Sequence, residues 1–200
     1  MKWIITSREG IIRGEIMKKK IMQWLFLTGM IAMTIVLSGC FFSEQTLVIS
    51  PDGTTDIKIE FWFQEGQAGD QGSIGIQKLL YLFPELQSYE MTKGEKDIEY
   101  STYLVYTFEK DNVDINKNEY VDFTKRDDGS YLLLIKIPKI IEEEKDENDK
   151  MLTITVIMPA EIDMANTTRY SENTVEWELR TNDFARDLTL KAFTVPARSS

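Results

Sequence analysis

The sequence predicts an α+β fold: an antiparallel β-sheet of about eight strands packed on one main helix, preceded by a cleaved signal peptide. Three observations predict it. Apolar and polar residues alternate in run after run, the period-two pattern of half-buried strands. Beyond the N-terminal region only one stretch repeats with helical spacing, Ile76, Leu79, Leu80 and Phe83 at i, i+3, i+4 and i+7. The connections between runs are mostly short, which favours antiparallel neighbours.

Residues 1–16 read as an untranslated upstream extension. They place Arg8, Glu9, Arg13 and Glu15 ahead of a signal, and Arg13-Gly14-Glu15-Ile16 can be encoded by a purine-rich ribosome-binding sequence just before Met17. Residues 17–39 read as the signal peptide. Lys18, Lys19 and Lys20 supply the positive end, and Ile21 to Leu37 the apolar run. Leu37, Ser38 and Gly39 form the small-residue peptidase recognition stretch. The run has 17 positions, the short edge of what a membrane-spanning helix needs. Leu37-Ser38-Gly39-Cys40 resembles the lipobox of bacterial lipoproteins. The resemblance implies that the Cys40 sulfur receives a diacylglyceryl group and that Cys40 becomes the first residue of the mature chain. The lipid then holds the protein at the extracytoplasmic face of the cell membrane. Two acyl chains anchor stably where one is marginal, at about 0.8 kcal/mol per buried CH₂.

Residues 40–200 read as one domain, long enough for a full core. Of the 23 basic and 33 acidic residues, 17 and 31 lie there, a side-chain net charge of −14. Phosphate neutralisation needs clustered Lys and Arg, so no nucleic-acid partner is expected. Cys40 is the single cysteine, so no intrachain disulfide forms.

Phe41 to Glu44 reads as a short tether. Thr46–Ser50 and Thr54–Phe63 read as strands joined by the turn Pro51-Asp52-Gly53, with Ile57, Ile59, Phe61 and Phe63 on one face. Gln64 to Gly75 is a loop, followed by the helix at Ile76 to Phe83, ended by Pro84. Ile98 to Phe108 alternates as a strand, and Asp111 to Asn118 is a loop or short helix. Tyr120–Lys125 and Ser130–Ile137 form a hairpin around Asp127-Asp128-Gly129. Leu132 to Leu134 is apolar on both faces, which makes that strand central. Glu142 to Lys150 carries six carboxylates. It has no EF-hand spacing, so a solvated loop is favoured over a Ca²⁺ site. Met151–Met158, Thr174–Arg180 and Leu188–Val195 complete the strands, with Val175, Trp177 and Leu179 inward. Pro159 to Asn166 is extended, and Arg169 to Asn173 is a turn.

Several of these features resemble the LppM-type domain of bacterial lipoproteins. They are Leu-Ser-Gly-Cys followed at once by Leu47-Val48-Ile49-Ser50-Pro51-Asp52-Gly53-Thr54, then Ile157-Met158-Pro159-Ala160-Glu161-Ile162, Ala165-Asn166 and Asn173-Thr174-Val175-Glu176-Trp177-Glu178-Leu179. The resemblance implies an anchored α+β domain with an antiparallel sheet and an apolar cavity. It also implies lipid binding, which has been suggested for the founding type. The chain departs from the pattern in lacking a C-terminal transmembrane helix and in its acidic insertion. Trp177 reads as core and Asn166 as a turn former.

With no histidine in the chain, Ser-His-Asp and Cys-His catalysis and the usual zinc sites are excluded. No phosphate-cradling glycine motif occurs. A glycosidase-like carboxylate pair stays possible, but nothing selects one among 31 acids. The expectation is therefore no enzyme, no catalytic residue, no metal and no cofactor. The expected function is a binding module for a lipid or other apolar ligand, held between sheet and helix. The alternative is a protein–protein accessory factor in envelope assembly or secretion, contacting its partner through exposed aromatics such as Trp62 or Phe193.

Overall fold

The first described residue, Phe41, already belongs to a strand. The computed structural model of the protein describes residues 41–64, 76–77, 80–81, 84–98, 101–144, 146 and 148–196. Strand β1 (Phe41–Ile49) takes in the four residues read as a tether, because it pairs along its whole length with β2 (Thr54–Gln64), from Phe41 opposite Phe63 to Ile49 opposite Thr55. The turn between them follows from local chemistry. Gly53 has φ +86°, and an added Cβ would come within 3.1 Å of the Asn116 side chain. The Asp52 carboxylate accepts from the Thr54 N–H at 3.0 Å and from its hydroxyl at 2.7 Å.

Nine further strands follow: β3 (Glu90–Ile98), β4 (Ser101–Asp114), β5 (Val121–Lys125), β6 (Tyr131–Ile137), β7 (Lys150–Ile157), β8 (Ile162–Ala165), β9 (Tyr170–Ser171), β10 (Thr174–Arg180) and β11 (Leu188–Thr194). They form two sheets, a seven-stranded one in the order β3-β4-β2-β1-β7-β10-β9 and a four-stranded one in the order β5-β6-β11-β8. Neighbours are antiparallel except β1 and β7, which run parallel.

Alternation gives the long sheet one apolar inner face. Across β1 the register sets Gln45 beside Ile59 on one side and Ile154 on the other, so both halves of the sheet bury the same face. On the β7–β10 half, Ile154, Val156, Val175 and Trp177 pack with Leu133, Ile135 and Leu190 of the short sheet. On the β2–β4 half, Ile59, Phe61, Tyr106 and Phe108 pack under Ile76 and Leu86. Ser43 and Gln45, both buried, form a polar seam on β1 between the two clusters.

The predicted class is therefore corrected. The protein is nearly all β, in two sheets, and no helix of seven or more residues occurs among the described residues. The main helix expected at Ile76 to Phe83 was to carry the sheet; the second sheet does so instead. Ile76, Gln77, Leu80 and Tyr81 do have helical backbone. Ile76 is buried and Leu80 half-buried against β2 and β4. Leu79 and Phe83 lie outside the described residues, and Pro84 opens a 3-10 helix (Pro84–Ser88) whose Leu86 is fully buried. Two strands were missed, the two-residue β9, which lies where a turn was expected, and β3. Every residue of β3 is exposed, so it carries no apolar alternation to read. It is an edge strand, aligned only by its ladder to β4.

Three carboxylates give the fold an acid limit. Hydrogen bonds from Thr54 hold Asp52 below its ordinary value, and those from Ser130 do the same for Asp128 in the β5–β6 turn. Glu178 is lowered by its hydrogen bond from Arg169 and, against the effect of burial, by that from Arg180. In each case the unfolded chain binds the proton more tightly, so the stabilisation is present above about pH 4 and is lost as the pH falls through the folded-state values. The melting temperature followed by circular dichroism is expected to fall between about pH 4 and pH 2. A flat profile over that window contradicts it.

Candidate functional site

Side chains that leave the inner face of the long sheet must appear on its outer face. At the end of the sheet where β1 begins, this brings aromatic residues together. Phe42 and Trp62 are paired across β1 and β2, and their rings stack with centroids 5.1 Å apart. Tyr103 of β4 meets both rings edge-on, at 5.9 and 6.0 Å. The β3–β4 register sets Lys96 opposite Tyr103, which carries its ammonium to 4.2 Å from the centre of the Trp62 ring. Lys150, at the start of β7, places its ammonium 5.5 Å from the Phe42 ring. Ile98, 39% exposed, closes the β3 side of the same face.

The electrostatics of this cluster are local. Lys96 and Lys150 have no carboxylate partner among the described residues. Of the acids on the same face, Glu60 pairs with Lys58 at 2.9 Å and Glu178 with Arg169 and Arg180 at 2.9 and 2.8 Å, while Glu44, opposite Glu60, forms no ion pair among the described residues. The Glu60 hydrogen bond raises the Lys58 value above its ordinary one. Trp62 is 1% exposed, and its indole N–H, itself buried, has no partner among the described residues. The half-buried rings of Phe42 and Tyr103 beside two cations suit a ligand with an apolar body and an oxygen-bearing anionic group.

Sequence reasoning placed Trp62 on an exposed polar face and left Phe42 in a tether; the structure buries the first under the second. One signal was available. Phe42 and Trp62 lie ten residues either side of Asp52, so a hairpin through that turn must pair them. Lys96 and Lys150 carried no signal, because their positions depend on β3 and on the long-range β1–β7 pairing.

Much of the segment against which an apolar ligand was expected lies outside the described residues. Ile59, Phe61, Leu86 and Phe108 are at most 1% exposed. A surface groove lies elsewhere, lined by Tyr120, Lys136, Pro138 and Asp187 among others. Asp187 there accepts from the backbone N–H of Lys139 at 2.9 Å, so its carboxylate serves the chain itself. The acidic stretch gathers no metal cage: among the described residues no group of three or more His, Cys, Asp or Glu side chains is placed to hold an ion.

Asn166 and Trp177, read separately as turn former and core, are brought together. The Trp177 indole N–H donates to Asn166 Oδ1 at 2.9 Å. The same oxygen accepts from the Lys191 N–H at 2.8 Å, and Asn166 Nδ2 donates to the Thr189 carbonyl at 2.7 Å. One side chain thus ties the long sheet to β11 of the short one. The predicted lipid-attachment residues Leu37, Ser38, Gly39 and Cys40 lie outside the described residues. Among the described residues no helix is long and apolar enough to cross a membrane.

No family model matches the sequence, and no curated protein matches it. Among solved structures, the chain is similar to the folded domain of the Mycobacterium tuberculosis LppM protein, determined by NMR, at 13% sequence identity and a TM-score of 0.43. The match covers 78% of this chain and 90% of that one.

Proposed function

We propose that the chain is a bacterial lipoprotein, anchored by a diacylglyceryl group on Cys40 at the extracytoplasmic face of the cell membrane, and that it works as a non-catalytic binding module for lipid. The observation that carries this reading is the stretch Met17 to Cys40, with three lysines, an apolar run and Leu-Ser-Gly-Cys, running directly into β1. On this reading the ligand sits on the outer face of the long sheet. There the Phe42–Trp62–Tyr103 cluster with Lys96 and Lys150 brings rings and cations together.

A second reading, an accessory factor that docks an envelope protein, is favoured by Phe193 on the short sheet. Its ring is half-buried between Lys191 at 4.6 Å and Arg126 at 5.5 Å. Native mass spectrometry of the protein extracted from membranes in mild detergent separates the two. Retained phospholipid beyond the covalent anchor supports the first reading. A reproducible co-purifying protein supports the second, and a bare chain refutes both.

A further inference from the structure

We infer that the Phe42–Trp62–Tyr103 face, with Lys96, Lys150 and Ile98, lies in the headgroup layer of the bilayer that holds the anchor, so that the domain sits on the membrane in one fixed orientation. This rests on the lipoprotein reading of Cys40 and identifies the lipid of the proposed site as the host bilayer itself.

The first argument is reach. β1 begins at Phe41, so no flexible residue separates the anchor from the folded domain. The Cα of Phe42 is at most about 7 Å from that of Cys40. The polar layer of each leaflet is itself roughly 5–8 Å thick. Trp62 is paired directly with Phe42, and Lys96 and Tyr103 lie against it. An anchored chain therefore carries these side chains to headgroup depth by the length of the covalent path alone.

The second argument is chemical fit. Trp and Tyr favour the membrane interface because an apolar ring and a polar tip both find partners there. Phe42 and Tyr103 are the half-buried rings of the face, and Trp62 stacks directly beneath Phe42. Lys96 and Lys150 face rings instead of carboxylates and match lipid phosphates. Ile98 adds exposed apolar area beside them. The net negative charge of the domain opposes contact with anionic lipid, but charges beyond about 10 Å are largely screened. Of the nearer acids, Glu60 and Glu178 hold their own cations, which leaves Glu44 against the two lysines.

The mature chain has two tryptophans, Trp62 and Trp177, which makes depth measurable. The lipidated protein, purified from membranes, is reconstituted into phosphatidylcholine–phosphatidylglycerol vesicles with or without bromine high on the acyl chains. Bromine is expected to quench the wild-type emission several-fold more than that of W62F, whose remaining Trp177 is core. The K96Q/K150Q double variant is expected to lose part of that quenching at low salt. A second readout needs no variant. A membrane-impermeant amine reagent should modify Lys96 and Lys150 in detergent but spare them on vesicles. Protein that floats with the vesicles yet shows neither quenching nor protection overturns the docking and leaves the anchor standing. Protein that fails to float overturns the anchor and the docking with it. Protection that appears only with a co-purifying protein overturns the bilayer as occupant.

Discussion

Cys40→Ala is expected to abolish fatty-acid labelling of the protein and to remove the mature form from the membrane fraction. The argument has three steps. On the proposed lipoprotein reading the lipid is attached through the Cys40 sulfur, which alanine lacks. Without lipid the cut before residue 40 fails, leaving Ile21 to Leu37 as the only membrane contact, and 17 positions are marginal for a span. Any chain cleaved elsewhere carries a strongly negative domain, which anionic headgroups repel. Cells fed a palmitate analogue report the result directly. Equal label in wild type and Cys40→Ala would refute the lipoprotein reading and the localisation drawn from it.

Disruption of the Asn166–Trp177 link is expected to have the largest effect on stability. Trp177 is 4% exposed at the centre of the larger cluster, and Trp177→Ala should cost about 3–5 kcal/mol, a large share of the roughly 5–15 kcal/mol that holds a domain folded. Asn166→Ala removes no core volume. It leaves the Trp177 N–H, the Lys191 N–H and the Thr189 carbonyl without their partner. Each such loss costs about 1–3 kcal/mol when buried. Because Asn166 is itself exposed, water can re-pair the backbone groups, so about 2 kcal/mol is expected in total. Trp177→Phe keeps most of the apolar contact and removes the donor. In denaturant melts, combining it with Asn166→Ala should cost less than the sum of the two single changes by at least about 0.5 kcal/mol. Strict additivity would mean that the hydrogen bond contributes nothing to the joining of the sheets.

What sequence alone determined about this protein is what depends on neighbours in the chain. Ile57, Ile59, Phe61 and Phe63 share the inner face of β2, and Leu152, Ile154, Val156 and Met158 are all buried, because alternation is a property of one strand. The turns at Asp52-Gly53 and Asp128-Gly129 were legible for the same reason. Their glycines adopt positive φ and their aspartates bond two residues ahead. The central position of β6 followed from its apolar run on both faces.

Tertiary structure alone decided what covers each face. Of the expected helical stripe, Ile76 and Leu80 do pack on β2 and β4. Nothing in their spacing told that β5, β6, β8 and β11 would form a second sheet over the remaining half. Strand β3, polar on both sides, exists because β4 offers it an edge. The parallel pairing of β1 with β7 joins residues more than a hundred positions apart, and with it Lys150 reaches Phe42. The candidate site belongs to this second class. Its rings and cations come from five strands, and a period read along one strand carries no information about the next. Which side chains meet was settled by hydrogen-bond register between distant segments and by the shared need to bury one face of the long sheet.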